Sequence, residues 1–219
     1  MICALTTTSS RAESMYLVGT QSGANSSYTF LGAVITLPTS SFTDDFALRF
    51  WTDYLTYDYT SGIGKIEASA WGGELALVYQ MTNSWGWSNF SVGSRYRDTK
   101  LSPDDFSNRA RGGKFYGTAQ FDGGYNFVDS FQFRWIMGYT TEIDGYYIQS
   151  SLDRAFGNNL RLGVDASFQG NDTYQENSIG TNATLIFSDS LNIGLRAGTT
   201  VTGASTGIYG GVVLIMFNN

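Results

Sequence analysis

The sequence is dominated by segments of strand length in which apolar and polar side chains alternate, separated by short polar turns. The alternation is clearest at 131–139, 160–168 and 191–198. In the first of these, four aromatic residues and a methionine fall at odd positions, and glutamine, arginine, isoleucine and glycine fall at even positions. Successive side chains of a strand point to opposite faces, so this period of two predicts β-strands that each have one apolar face.

Four tight polar turns recur along the chain, each flanked by aromatic or long apolar residues, at 79–87, 127–131, 156–160 and 187–191. Two alternating segments lie between each pair of turns. This spacing predicts up-and-down hairpins with one tight end and one looser end. Short turns on one side, longer loops on the other and aromatic residues at the strand ends are typical of a closed barrel that crosses an outer membrane.

The alternating segments add up to twelve predicted strands. They are 15–21, 27–37, 46–57, 65–81, 85–96, 114–127, 131–141, 145–156, 160–168, 173–187, 191–200 and 205–217. An even number places both termini on the same, periplasmic side. The four tight turns then fall on that side as well, and the longest connection, 97–113, falls on the other. The apolar phase changes at 72–73, 88–89 and 123–124, and we interpret these positions as β-bulges that bend the barrel wall.

A soluble β-sandwich is the alternative fold, because its strands also alternate with one apolar face turned inward. The polar face here consists of glycine, serine, asparagine and threonine with scattered charges, whereas a soluble surface normally carries more lysine and glutamate. No apolar run is long enough for a transmembrane helix. The predicted fold is therefore an all-β, antiparallel, up-and-down transmembrane β-barrel. It occupies 15–219 as a single domain, and 1–14 is predicted to be a leader remnant or a disordered N-terminus.

The chain contains no histidine and one cysteine, Cys3, which excludes histidine-dependent catalysis and a zinc site. The adjacent carboxylates at 44–45 and 104–105 would point to opposite faces of an extended chain, so neither forms an acid–base pair. We predict no enzyme, no catalytic residue, no metal and no cofactor. The alternative is a carboxylate-based hydrolase that depends on Glu74 or Asp122. A net charge of −6 argues against nucleic acid as a partner.

Charged residues on the polar face of the strands are expected to lie in the lumen and to pair there, because buried charges must be compensated. The predicted lumen charges are Arg49, Asp53, Glu74, Asp122, Arg134, Asp153, Arg161, Asp165 and Arg196. A charged interior and a long loop that can close it predict a largely plugged barrel rather than a general diffusion pore.

The predicted loops 97–113 and 60–64 lie on the side away from the termini, where we expect a contact surface for a glycan or a protein partner. The residues assigned to this surface are Arg95, Arg97, Lys100, Arg109, Arg111 and Lys114, with Trp51, Tyr57, Tyr59, Tyr96 and Phe106 beside them. An ordinary solvated loop is the alternative. Trp85 and Trp87 are predicted to belong to the aromatic girdle instead.

Five segments, 32–35, 46–54, 73–80, 93–105 and 108–112, resemble the cellulose biosynthesis protein BcsS family. The resemblance covers most of the chain from Met15 onward. It implies a bacterial outer-membrane protein without a known enzymatic reaction, which acts as an accessory in the biosynthesis, export or surface anchoring of cellulose or another exopolysaccharide. The implied partners are outer-membrane lipid and cellulose or other cellulose-secretion components. A general small-solute porin remains the alternative function.

Overall fold

The computed structural model describes residues 14–37, 44–128, 130–171, 175–203 and 205–218. The leader predicted at 1–14 lies outside these ranges except for Ser14. The predicted start of the tenth strand, at 173–174, also lies outside them. Within the described ranges no helix is long and apolar enough to cross a membrane.

Twelve antiparallel strands form one closed barrel, in which each strand pairs with its neighbours in sequence and β1 pairs with β12. The strands are β1 (Ser14–Gly23), β2 (Ser26–Thr36), β3 (Asp44–Ser61), β4 (Gly64–Asn83), β5 (Gly86–Ser102), β6 (Gly112–Val128), β7 (Phe131–Thr140), β8 (Gly145–Phe156), β9 (Leu160–Gly170), β10 (Gln175–Ser188), β11 (Leu191–Thr202) and β12 (Ser205–Asn218). The predicted fold class is confirmed.

The first and last described residues, Ser14 and Asn218, and the four predicted tight turns lie at one end of the barrel, which we call the turn end; the opposite end is the loop end. Loop length alternates less than we predicted. The connections at 24–25 and 62–63 are short although they lie at the loop end, and seven residues separate the end of β2 from the start of β3 at the turn end. The predicted loop 97–113 is also shorter than expected, because β5 and β6 extend into it and leave only 103–111, the β5–β6 loop.

Four adjacent strands, β3 to β6, have 17 to 20 residues, whereas the other eight have 10 to 14. About 9–11 residues suffice for a tilted strand to cross the apolar layer of a membrane. The outer face of β4 changes accordingly, from Leu77, Leu75 and Trp71 to Ser69 and Glu67 towards the loop end. One side of the barrel wall therefore extends beyond the apolar belt at the loop end.

The bulges predicted at 72–73, 88–89 and 123–124 are wrong, because the strand register runs through all three without a shift. At 72–73 the apolar face changes because β4 leaves the apolar belt. At 88–89 it changes because Trp87 points into the lumen and is only 7% exposed, so Trp87 does not belong to the girdle. Register shifts occur instead beside Phe127 and Phe187, each next to a tight turn.

The turn half of the lumen is filled by side chains. Leu17, Phe30 and Ile215 form a buried cluster, and the indole of Trp51 stacks on the ring of Phe30 with centroids 5.0 Å apart. The indole lies across Gly32 on the neighbouring strand, where an added Cβ would come within 2.3 Å of the indole ring. Inward glycine thus makes room for a large ring inside the barrel, and the packed side chains occupy the lumen beside β12, β1, β2 and β3.

Candidate functional site

The loop half of the lumen contains a cavity of about 310 Å³, which we call the vestibule. Seven tyrosines contribute to its lining, among them Tyr57, Tyr59, Tyr116 and Tyr147, together with amide and hydroxyl side chains. These residues come from strands on several sides of the barrel. The inward-facing residues of several strands therefore form a polar and aromatic cavity wall on the loop side of the filled turn half.

An arginine cluster lies along β3, β4 and β5 beside the vestibule. Arg49 pairs with Glu74, with Nη2 and Oε1 2.6 Å apart. Arg97 pairs with Asp53 at 3.0 Å, and Arg95 contacts the same carboxylate. Arg95 also lies 3.8 Å from Glu74. Three guanidinium groups thus share two carboxylates, which joins three strands by charge across the inner wall.

Gly72 makes this cluster sterically feasible. Asp53 is on β3 and both of its arginine partners are on β5, so the contacts must cross β4. Gly72 lies on β4 between them, where an added Cβ would be 3.0 Å from Asp53 Oδ1 and 3.5 Å from Arg95 Nε. A larger residue at this position would push the charged groups apart.

The remaining lumen charges lie on inward strand positions around the barrel. Arg134 pairs with Asp153 at 2.7 Å, and their side chains are 3% and 1% exposed. Arg196 pairs with Asp165 at 2.5 Å. Tyr209 donates a hydrogen bond of 3.2 Å to the same carboxylate.

Two of the predicted lumen charges have amide partners rather than an ion pair. Asp122 accepts hydrogen bonds from Gln120 and Asn89, at 2.7 and 3.0 Å. Arg161 donates to Gln132 Oε1 at 3.1 Å. The expectation that every lumen carboxylate meets an arginine therefore does not hold for Asp122. The residues that face Asp122 and Arg161 directly on the neighbouring strands are uncharged, so amide side chains supply the hydrogen bonds to both groups.

The β5–β6 loop is anchored at the mouth of the vestibule by Tyr59. The Tyr59 hydroxyl donates to Asp105 Oδ2 at 3.0 Å and accepts from Asn108 Nδ2 at 2.8 Å. Ser107 donates to Asp105 Oδ1 through both its hydroxyl, at 2.6 Å, and its amide, at 3.0 Å. The Ser107 hydroxyl is the main cause that lowers the pKa of Asp105 below its ordinary value. We call these residues the latch.

The outer part of the same loop carries exposed ion pairs. Arg111 pairs with Asp104 at 2.5 Å and lies over the ring of Phe106, 4.4 Å from its centroid. The hydrogen bond from Arg111 lowers the pKa of Asp104. Arg109 reaches Asp144 on the next loop at 3.5 Å. Both arginines of the loop therefore have a carboxylate partner.

The structure divides the residues assigned to the contact surface into an inner and an outer group. Trp51, Tyr57, Tyr59, Arg95 and Arg97 lie on the inner wall of the barrel, and all of them except Trp51 line the vestibule. The prediction that these five belong to an outward contact surface is corrected, because the odd-numbered residues of β3 and β5 face inward and β5 continues to Ser102.

The other residues of that set remain outside the lumen. Tyr96 faces outward from β5, against Trp71 and Phe115. Lys100, Arg109, Arg111, Lys114 and Phe106 lie at the loop end. The period of two, continued from Phe90 and Val92 beyond residue 94, would have separated Arg95 from Tyr96.

Among the described residues, no three acidic or cysteine side chains are grouped as metal ligands. The side chains of the vestibule and the latch offer hydrogen bonds, charge and aromatic contacts.

Solved structures similar to this chain are outer-membrane barrels. An outer-membrane channel from Pseudomonas putida F1 has a TM-score of 0.59 and 9% identity, covering 94% of this chain and 95% of that one. The KdgM porin has a TM-score of 0.53 and 12% identity, with 91% and 97% covered. The translocator domain of the autotransporter NalP from Neisseria meningitidis has a TM-score of 0.52 and 11% identity, with 93% and 87% covered. At these identities the likeness establishes the fold alone.

No curated protein sequence matches the chain. The family described as "Cellulose biosynthesis protein BcsS" matches residues 15–217, which is nearly all of the barrel. This match agrees with the resemblance seen in the segments between 32 and 112. The chain therefore belongs to the cellulose biosynthesis protein BcsS family.

Proposed function

We propose that this protein is a non-enzymatic accessory of cellulose biosynthesis in the bacterial outer membrane, acting in export or surface anchoring of the polymer. The observation that carries the proposal is the family match over the whole barrel. The apolar outer face of the strands supports placement in a membrane, where lipid is the contacting partner. With the termini in the periplasm, the loop end faces the cell exterior.

The filled turn half supports an accessory role over a general diffusion pore. Leu17 and Ile215 are 2% and 0% exposed inside the barrel, and the ion pair of Arg134 and Asp153 is buried in the same half on the opposite side of the ring. A polymer or a stream of solutes would have to displace packed rings and paired charges, each of which costs several kcal/mol to disrupt. The loop end is then the surface at which glucan or another secretion component is met.

The β5–β6 loop is the proposed contact element at that end. Replacing residues 104–110 with a short Gly-Ser turn should lower cellulose at the cell surface while leaving the barrel inserted. Surface cellulose is measured by dye binding, and insertion is measured by the mobility shift of the heated and unheated barrel. The matched control inserts the same Gly-Ser segment after Gly203, in another connection at the loop end.

Normal surface cellulose from a correctly inserted loop variant would exclude the loop as the contact element. Loss of surface cellulose in the Gly203 control as well would show that any insertion at the loop end lowers cellulose, and would contradict a specific role of the β5–β6 loop. Recovery of the native protein in a soluble periplasmic fraction without detergent would contradict the membrane location.

Planar-bilayer recording distinguishes the proposed accessory role from the porin alternative. The packed turn half predicts little conductance from the wild-type barrel, and a large, steady conductance would favour a porin.

Catalysis is tested by incubating the purified protein with glucan and with lipid and measuring hydrolysis. Hydrolysis that is lost in Glu74→Gln or Asp122→Asn would contradict the non-enzymatic role.

A further inference from the structure

The arginine cluster has more guanidinium groups than carboxylates in direct contact beside the vestibule. Arg49, Arg95 and Arg97 share the carboxylates of Asp53 and Glu74. The carboxylate of Asp122 also interacts electrostatically with Arg49, but no ion-pair contact joins the two. Charges that are withdrawn from water normally have a partner of opposite sign in contact with them. In direct contacts among the described residues, the cluster is one carboxylate short.

The guanidinium groups, rather than Asp53, face the vestibule. The side chain of Asp53 is fully covered, and Asp53 does not contribute to the cavity lining. The side chains of Arg49, Arg95 and Arg97 line it and remain 11%, 15% and 20% exposed. Glu74 also lines this wall, but its side chain is only 7% exposed. A ligand in the cavity would therefore meet three guanidinium groups and one carboxylate here, which is a net positive charge.

The opposite wall does not supply the missing anion. Glu176, on β10 across the barrel from β4, also lines the cavity. Its carboxylate already accepts hydrogen bonds from Gln169 at 2.7 Å and Thr202 at 3.4 Å. The vestibule thus has a positive wall on β3–β5 and a hydrogen-bonded carboxylate on the far side, which orients a ligand with a charged end.

Unused hydrogen-bonding groups lie on the positive wall. Within the described part of the chain, Nε of Arg95 and Arg97 and the hydroxyls of Thr99, Tyr116 and Thr118 are buried without a hydrogen-bond partner. All five residues line the vestibule from the neighbouring strands β5 and β6. A buried donor left without a partner costs about 1–3 kcal/mol. An oxygen-rich ligand, with small side-chain adjustments, would satisfy several of these groups at once.

Aromatic rings and cavity size limit the class of ligand. Tyr57 and Tyr59 stack on each other with centroids 6.0 Å apart, and both line the cavity. Aromatic rings beside hydrogen-bonding groups suit the faces and hydroxyls of a sugar. A volume of about 310 Å³ lies at the small end of the range for ligand sites. One or two sugar rings would fill it.

We propose that the vestibule is a binding site for a small acidic sugar, whose carboxylate binds the guanidinium groups of Arg95 and Arg97. A carboxylate matches the planar fork of arginine and supplies the charge that the cluster lacks. The hydroxyls of the sugar reach the donors on β5 and β6, and its ring lies near Tyr57. This site is distinct from the outer loop surface and does not depend on the cellulose role.

The test is titration calorimetry of the purified full-length barrel in detergent at low salt. The probes are glucuronate, glucose and glucose 6-phosphate. Glucuronate should bind at least tenfold more tightly than glucose, because only glucuronate carries the carboxylate. Tighter binding of glucose 6-phosphate than of glucuronate would overturn the carboxylate assignment.

Arg97→Gln is the test variant, and it should weaken glucuronate binding at least tenfold. It leaves two arginines with two carboxylates, so the cluster stays balanced and the barrel is expected to fold. Lys100→Gln is the matched control, since it removes a positive charge from an exposed position of the same strand. An equal loss in both variants, or equal binding of glucuronate and glucose by the wild type, would overturn the proposal.

Discussion

Replacing Asp53 with asparagine should lower the free energy of unfolding of the barrel by about 3 kcal/mol. The change keeps the size of the side chain and removes its charge. Asp53 is fully covered, contacts both Arg95 and Arg97, and accepts a hydrogen bond from Tyr28 at 3.1 Å. The variant leaves three guanidinium groups in the cluster with the single carboxylate of Glu74.

The magnitude follows from the geometry. At 3.0 Å between Arg97 Nη2 and Asp53 Oδ2, one ion pair is worth roughly 5 kcal/mol at an effective dielectric constant of about 20. Part of this is recovered, because the arginines are 15% and 20% exposed and regain water from the vestibule. Removing one partner of a buried pair typically costs about 3–5 kcal/mol, and the residual exposure places Asp53→Asn at the low end.

The assay is urea unfolding of the barrel in lipid vesicles, followed by tryptophan fluorescence. Asp58→Asn is the matched control, because Asp58 pairs with Lys65 at 2.8 Å on the exposed outer face. Solvent screens that pair, so the control should stay close to the wild type. A loss in Asp53→Asn no larger than in Asp58→Asn would refute the conclusion that the cluster is desolvated.

A second measurement tests the charge balance itself. Adding Arg97→Gln to Asp53→Asn removes one of the uncompensated guanidinium groups. The double variant should therefore be less destabilised than the sum of the two single variants. Additive losses would contradict the shared-charge account.

Three other perturbations follow from the same geometry. Gly72→Val should cost about 2 kcal/mol by displacing Asp53, whereas Gly73→Ala, whose added Cβ would have no neighbour closer than 3.7 Å, should be near neutral in the same urea unfolding assay. Folding lowers the pKa of Asp105 below its unfolded value of about 3.9, so its contribution to the latch is present above that value and is lost as the pH falls through the folded pKa. The protection of the β5–β6 loop amides, measured against their intrinsic exchange rates at the same pH, should fall below about pH 4. Unchanged protection there would contradict the latch. Phe30→Ala should raise single-channel conductance over the wild type by opening the filled half of the lumen, and no increase would show that other groups close it.

The strand pattern, together with the composition of the polar face, was sufficient to predict twelve antiparallel strands in a closed barrel. Alternation is a local property, since neighbouring residues of a strand face opposite sides whatever the strand pairs with. The face that carries Phe131 and Phe133 turned out to be the outer one, as the pattern indicated. The same period placed Arg49, Arg134 and Arg196 on inward positions before any partner was known.

The ends of the strands and the partners of the lumen charges could not be predicted in this way. Strand β5 continues to Ser102 because β4 and β6 extend beside it, and that pairing moves Arg97 from a predicted loop into the lumen, next to Arg95 of the predicted strand. The link from β5 to Asp53 crosses a whole strand at Gly72. Such a contact depends on register, which no single segment encodes.

The sequence by itself determined the alternation, the number of strands and the family, because each depends on residues that are close along the chain. The tertiary structure decided which charges share a partner, where the lumen is filled and where the vestibule remains. These properties arise when strands that are distant in sequence bring their inward faces together around a closed ring. Closure also fixes the register between β1 and β12, and with it the height at which every inward side chain meets its neighbours.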